Sequence, residues 1–366
     1  MISALSILVL ILSISASYET YLTCRDDNGN PVDWWIIYNF PTKVLSKGEG
    51  ESGLRYTYIT SNDEDKSKFK LSPKDMNEED NIFFNTVSPI YSDPKKYEYI
   101  FYNDQYGDKK FNRSDETYLK TAHAKGVLGI GEETGFWLIH SIPHFMPTPE
   151  EFSQGLRHPS SGRVKGQTAI CLTFDKSEIP KVTRQLLVEK VNVYGSRIVM
   201  EQNLMKLLDE DYQEEKKISR STMKTKNGVH LEHFAKTPSF PTREKIDLFS
   251  RMAQDLGTNL NVQTWKSGPG GNQASDCSKN SDVKNIVFMA MKMKNGAETS
   301  EWKYTKDHSK WAVSDSAEDN PQTCIGDLNR MNSQLIRGGG MMCMPDPDVQ
   351  KAFKDMIHEM EPCQRN

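Results

Sequence analysis

The sequence predicts a mixed α/β fold of two related lobes with one active site at their interface. Three observations carry this. Strand-like and helix-like segments intermix along the chain, which selects the α/β or α+β class. A His-x-Lys tripeptide occurs once in each half, as His123-Ala124-Lys125 and His308-Ser309-Lys310. Each is followed, after a similar interval, by a second polar cluster: His140-Ser141 in the first half and Gly326-Asp327-Leu328-Asn329-Arg330 in the second. The 366 residues suffice for one large domain or two fused ones, with a sizeable core.

Leu5 to Ile14 is apolar apart from Ser6 and Ser13, and Ser15, Ala16 and Ser17 follow. The run is short for a bilayer, and small residues suit cleavage, so residues 1–17 read as a signal peptide. Val32 to Phe40 is aromatic and β-branched and stops at Pro41, a buried strand. Residues 42–95 are polar and read as surface, with acidic clusters at 63–65 and 78–80 taken as solvated loop charge. Tyr97 to Tyr102 is a strand. Gly126 to Ile130 and Phe136 to Ser141 form a hairpin around residues 131–135. Thr168 to Phe174 is a further strand. Glu201 to Asp211 is a helix with Leu204, Leu207 and Leu208 on one face. Residues 209–227 are charged and aperiodic, a surface connection that divides the chain into lobes 18–210 and 211–366. Thr242 is the expected cap of a helix bearing Ile246, Phe249, Ala253 and Leu256, stopped by Gly257. Leu260 to Thr264 and Asn285 to Lys294 are strands, and Asp348 to Met360 is a helix burying Val349, Phe353, Met356 and Met360.

Charged residues make up 26% of the chain, as expected of a soluble body. The net charge of −4 disfavours a nucleic-acid partner at neutral pH. Eight histidines, if all protonated, would carry it from −4 to +4, so acid favours a polyanionic substrate. The six cysteines, Cys24, Cys171, Cys277, Cys324, Cys343 and Cys363, contain no CxxC pair, which argues against a zinc ribbon or a thioredoxin-like site. An even count suits complete pairing on an oxidising route, with the connectivity open on sequence alone. Asn112-Arg113-Ser114 is an N-glycosylation sequon, usable on that route.

A His-x-Lys on a strand turns both side chains to one face. Lysine can neutralise a non-bridging phosphate oxygen while imidazole attacks phosphorus or protonates the leaving oxygen. The spacing alone leaves surface or structural histidines equally open. His144, His158, His230, His233 and His358 sit in no such motif. His230 and His233 could be ligands three apart on a helix, but no third ligand is evident, so no metal or cofactor is expected.

The flanks of the motifs are more specific. Leu22-Thr23-Cys24, Pro31-Val32-Asp33-Trp34, Tyr102-Asn103-Asp104-Gln105 and His123-Ala124-Lys125-Gly126-Val127-Leu128 appear in one order. Gly135 to Pro143, Leu256 to Gln263, Asp307-His308-Ser309-Lys310-Trp311, Cys324 to Arg330 and Arg337-Gly338-Gly339-Gly340 follow. In these segments the chain resembles the deoxyribonuclease II family, itself related to the phospholipase D superfamily. The resemblance implies two fused phospholipase D-like lobes and metal-independent hydrolysis of double-stranded DNA at acid pH. It implies a phosphohistidine intermediate, with 3′-phosphate and 5′-hydroxyl ends. His308 matches the family's principal histidine and is the expected nucleophile, with His123 as acid/base; the reverse assignment stays open. Lys125 and Lys310 would hold phosphate oxygens, His140 matches a third histidine, and Asn329 stands where a polar phosphate ligand is common. The implied disulfides are Cys24–Cys171, Cys277–Cys363 and Cys324–Cys343. Asp315 completes an H-x-K-x₄-D spacing, but Ile130 stands there in the first motif, so Asp315 is given no role. The resemblance is compatible with secretion or lysosomal delivery, and with a monomer or a homodimer. The competing readings are a secreted DNA binder that has lost its chemistry and a phosphodiesterase acting on another substrate.

Overall fold

The computed structural model describes residues 21–42, 53–106, 119–156, 158–211, 218–239, 242–268, 270–277, 281–292, 299–316 and 320–363. The signal segment and Asn112 lie outside them.

The class is mixed α/β, with two large sheets. The first contains β1 (Trp34–Asn39), β2 (Arg55–Thr60), β3 (Lys70–Asp75), β4 (Glu98–Asn103), β5 (Lys125–Ile130), β6 (Thr134–His140), β7 (Gln167–Asp175) and β8 (Val193–Arg197). Their order across the sheet is β8-β4-β5-β6-β7-β1-β2-β3. The second contains β9 (Ile218–Lys224), β10 (His230–Lys236), β11 (Leu260–Gln263), β12 (Val283–Lys292), β13 (Thr299–Lys303), β14 (Trp311–Ser314), β15 (Thr323–Gly326), β16 (Gly339–Met344) and β17 (Ile357–Met360). Its order is β9-β10-β16-β15-β14-β11-β12-β13, with β17 also on β12. The run β4-β5-β6-β7-β1 corresponds to β11-β14-β15-β16-β10, antiparallel throughout in both. Each His-x-Lys therefore leads into the same strand of its sheet, β5 or β14.

Strand alternation makes the two sheets meet. Trp34, Ile36 and Tyr38 of β1, Trp137 and Ile139 of β6, and Ile170 and Leu172 of β7 share one buried cluster with Trp311 and Val313 of β14, Ile325 of β15 and Met342 of β16. The intervening residues point the other way. Trp35, Ile37, Leu138 and Cys171 form a core behind the first sheet, and Ala312, Cys324, Met341 and Cys343 one behind the second. The central core thus belongs to both lobes.

The helices are α1 (Ile82–Ser92), α2 (Ser160–Val164), α3 (Ile179–Glu189), α4 (Gln202–Leu208), α5 (Leu248–Leu256) and α6 (Pro347–Lys354). α3 follows the first sheet in sequence but packs on β9 and β10 of the second. Its Ile179, Val182, Leu186 and Leu187 enter the shared core. α6 packs on β14 and β15. Its Phe353 lies edge-on to Phe69 of the first lobe, with ring centroids 5.3 Å apart. The sulfur bridges join Cys24 to Cys171, Cys277 to Cys363 and Cys324 to Cys343. These are the pairs that the family resemblance implies.

Several expectations change. The polar stretch 42–95 holds β2, β3 and α1. In α1, Asn81 accepts from the N–H groups of Phe83 and Phe84, and Ile82, Phe83, Val87 and Ile90 turn inward. Part of the charged connection at 209–227 is the strand β9 at the sheet edge, where exposed Arg220, Thr222 and Lys224 alternate with half-buried Ser221 and buried Met223. The cap of α5 is Asp247, not Thr242, whose hydroxyl donates to the carbonyl of Ser239. Asp247 lies one residue before the helix and its carboxylate reaches the N–H of Phe249. The final helix stops at Lys354, and residues 357–360 pair with β12, which leaves Met360 exposed. His230 and His233 lie on the strand β10, where a spacing of three puts them on opposite faces.

The shared core predicts that the lobes unfold together. Leu186→Ala should lower stability by about 2–5 kcal/mol. Guanidinium unfolding should show one transition with a lower midpoint, monitored by both tryptophan fluorescence and circular dichroism; two separated transitions would contradict a common core.

Candidate active site

His123 and Lys125 lie at the start of β5, and His308 and Lys310 immediately before β14. All four line one cavity of about 310 Å³ between the lobes, with Asp104, Ser141, Trp265 and Asn329 also in its walls. A reciprocal main-chain contact brings the motifs together. The N–H of His123 donates to the carbonyl of Gly338 at 2.8 Å, just before β16 of the other lobe. The N–H of His308 donates to the carbonyl of Gly166 at 2.8 Å, just before β7. Gly166 has no room for a side chain, since a Cβ there would lie 2.8 Å from the carboxylate of Asp307. That carboxylate is buried and held by Tyr38, by Trp302 Nε1 at 2.6 Å and by the N–H of Ser309 at 2.8 Å.

The cavity is strongly polarised. Lys125 Nζ donates to Asp104 Oδ1 at 2.5 Å, and Arg337 of the second lobe donates to Asp104 Oδ2 at 3.2 Å. Burial opposes ionisation of Asp104, but Lys125, His123 and Arg337 outweigh it and hold its pKa below the carboxylate range. Among the described residues Lys310 has no carboxylate in hydrogen-bond contact; its Nζ donates to the carbonyl of His308 at 2.5 Å. Burial, then the nearby Lys125, draws its pKa down to about 7. Asp327 moves the opposite way, up to about 7, chiefly through burial. The neighbouring carboxylate of Glu189 is buried and also raised.

The imidazoles differ. His123 Nδ1 lies 2.7 Å from the carbonyl of Asp327. A carbonyl only accepts, so the proton sits on Nδ1 and the lone pair on Nε2. His308 packs against Trp265, with ring centroids 4.6 Å apart. Its Nε2 is buried with no hydrogen-bond partner among the described residues. Burial, then Lys310, Lys165 and Lys125, push its pKa to about 2. Asn329 Oδ1 accepts from the N–H of Trp265 at 3.2 Å, which turns its amide nitrogen into the group available to a ligand.

His140 is not in the cavity wall. Alternation along the chain puts its neighbour Ser141 there, while the His140 ring lies behind, against Phe145. His140 Nδ1 accepts from the N–H of Ile142 at 3.2 Å, and burial, then the charge of Lys125, keeps the ring neutral. Asp315 also lies away from the cavity, bonded by the side chain of Asn261. The expected gain of charge on all eight histidines is corrected. His123, His140, His158, His233 and His308 are all held below the ordinary histidine value, first of all by burial. Acidification instead acts on Lys310 and Asp327. Among the described residues no group of three His, Cys, Asp or Glu side chains could hold a metal ion, and no helix is long and apolar enough to cross a membrane.

Sequence reasoning missed Asp104, Trp265 and Arg337 as site residues. Asp104 and Arg337 lie in segments that carry the family resemblance, but a lone charge at a strand end has no spacing that marks it. Trp265 lies just beyond the end of β11, and only the fold brings it to His308.

Comparison with known proteins agrees with this geometry. The family model for Deoxyribonuclease II matches residues 23–363. The chain is 33% identical to deoxyribonuclease-2-alpha of Sus scrofa, over 94% of this chain and 91% of that protein. It is 34% identical to deoxyribonuclease-2-beta of Homo sapiens, over 93% and 92%. It is 31% identical to plancitoxin-1 of Acanthaster planci, over 97% and 96%. Two His-x-Lys motifs clasped across a lobe interface, and a match running almost from end to end, place this chain in the deoxyribonuclease II family.

Proposed function

We propose that this protein is an acid endodeoxyribonuclease that hydrolyses double-stranded DNA without a metal. The observation that carries this reading is the convergence of two imidazoles and two lysines in one inter-lobe cavity. The lysines supply the positive charge that a phosphodiester needs, and the imidazoles supply the nucleophile and the proton carrier.

In this reading His308 attacks phosphorus through Nε2, since its low pKa keeps the lone pair free even in acid. His123 takes up a solvent proton at Nε2 as the phosphodiester's negative charge enters the cavity, and the bond to the 5′-oxygen breaks as His123 passes that proton to it. Burial, then the charge of Lys125, opposes that proton and keeps the imidazolium transient, while the charge of Asp104 and the Asp327 carbonyl at Nδ1 favour it. Water, deprotonated by His123, then attacks the phosphohistidine. The products are a 3′-phosphate and a 5′-hydroxyl, and His308 is regenerated. Lys125, Lys310 and the Asn329 amide hold the non-bridging oxygens, while His140 supports the wall from behind. The N-terminal segment, the three disulfides and the Asn112 sequon support passage through the secretory route, to a lysosome or outside the cell. The intact set of four motif side chains favours a working enzyme over an inactive binder.

The acid preference follows from Lys310 and Asp327. Below about 7 Lys310 is charged and Asp327 neutral; as pH rises through that value Lys310 in the cavity wall loses its positive charge and the nearby Asp327 gains a negative one. Cleavage of plasmid DNA in EDTA should therefore proceed at about pH 5 and fall off above neutrality. End-labelling should find 3′-phosphates; absence of cleavage by the folded protein under these conditions would refute the reading. His308→Ala should abolish the phosphorylated-histidine species in turnover quenched with alkali, in which the N–P bond survives. Lys310→Ala should reduce kcat by about 10²–10³-fold, measured in steady-state kinetics. Gly166→Val should inactivate the enzyme through the Asp307 clash, with a native-like circular dichroism spectrum as the check on folding.

A further inference from the structure

Lys236 is an unusual residue for the interior of a sheet. It ends β10, is 1% exposed, and has no carboxylate in contact among the described residues. Its Nζ instead donates to three carbonyls: Ile246 at 3.1 Å, Gln334 at 3.1 Å and Leu335 at 2.8 Å. Three acceptors require three N–H donors, which the ammonium has and the neutral amine lacks. The segment it grips leads directly into the cavity. Met331, Ser333 and Gln334 line the cavity wall, Arg337 binds Asp104, and the Gly338 carbonyl receives the N–H of His123.

We propose that Lys236 is a positioning residue whose ammonium pins residues 334–337, and through them the cavity wall and the His123 anchor. The pin is complete only when Lys236 is protonated. Burial is the main force against protonation and draws its pKa to about 7. Of the charged groups facing it, Asp247 on the α5 side favours the ammonium and Arg337 on the gripped segment opposes it. Asp247 is already engaged by Arg330, with Nη2 at 3.0 Å. The wall is therefore held in acid and loosens as pH rises through neutrality. Only the consequence for DNA cleavage rests on the proposed function; the pin itself does not.

Amide hydrogen exchange of the full chain, corrected for intrinsic exchange rates and followed from pH 5 to 8, tests this without catalysis. Protection at Gln334, Arg337 and Ile246 should fall about tenfold through pH 7, while β1 and β7 stay protected. Lys236→Arg, charged throughout, should remove that fall although Lys310 and Asp327 still titrate. Lys236→Met should lose protection at these amides already at pH 5. It should also cut cleavage about tenfold or more, with partial recovery in Lys236→Arg. Flat protection across pH in the wild type, or an unchanged fall in Lys236→Arg, would overturn the proposal. If neither variant folds, a flat wild-type series overturns the proposal, and a fall that persists in Lys310→Met supports it.

Discussion

The site depends on two backbone hydrogen bonds that each lobe makes to the other's histidine. His123 reaches Gly338, and His308 reaches Gly166. A backbone N–H fixes the position of its Cα more tightly than a long side chain could, and strand geometry then fixes the direction of the imidazole and lysine that follow. The symmetry of the arrangement lies here more than in the sequence. Each acceptor immediately precedes the strand two places beyond the motif strand, in the opposite sheet. Neither lobe can build its half of the cavity alone.

The cost of that construction is a concentration of charge in a poorly hydrated place. Asp104, Lys125, Lys310, Asp327 and Arg337 are all buried. Asp104 is satisfied by two cations from different lobes, so the pair also acts as a crosslink. Among the described residues Asp327 has no cation in hydrogen-bond contact and Glu189 has only the neutral His233 ring beside it, at 3.4 Å, and burial leaves both acids protonated more readily than surface acids. Buried ionic groups of this kind are a poor source of stability. The shared apolar core, with Trp137, Trp311 and Leu186 among its residues, supplies the cohesion that the polar layer lacks.

Much of this organisation was legible in the sequence. The strands ending near Asn39, Tyr102, Ile130 and His140 were visible from aromatic and β-branched runs. The four motif residues were visible from spacing, and their meaning from the flanking segments. What escaped was settled by tertiary contacts. β3 and β9 carry polar residues because they lie at sheet edges, so alternation is blurred there, whereas β2 is largely buried and was hidden by its polar surroundings in sequence. α1 follows the acidic loop at 78–80, which masks its apolar face in the sequence. The place of His140 behind the wall, and not in it, depends on alternation at the end of β6 that a polar dipeptide does not reveal. Trp265 joins the site only because β11 adjoins β14.

The placement of Gly338 has a consequence for the order of synthesis. His123 emerges in the first half of the chain, but its acceptor is made only near the end, and β10 remains at the edge of an incomplete sheet until β16 arrives between it and β15. Such long-range pairings form late and slowly. A nascent or truncated chain ending before residue 338 lacks the first histidine's anchor, however well the preceding strands have folded. The geometry of the first histidine is thus tied by topology to the synthesis of residue 338.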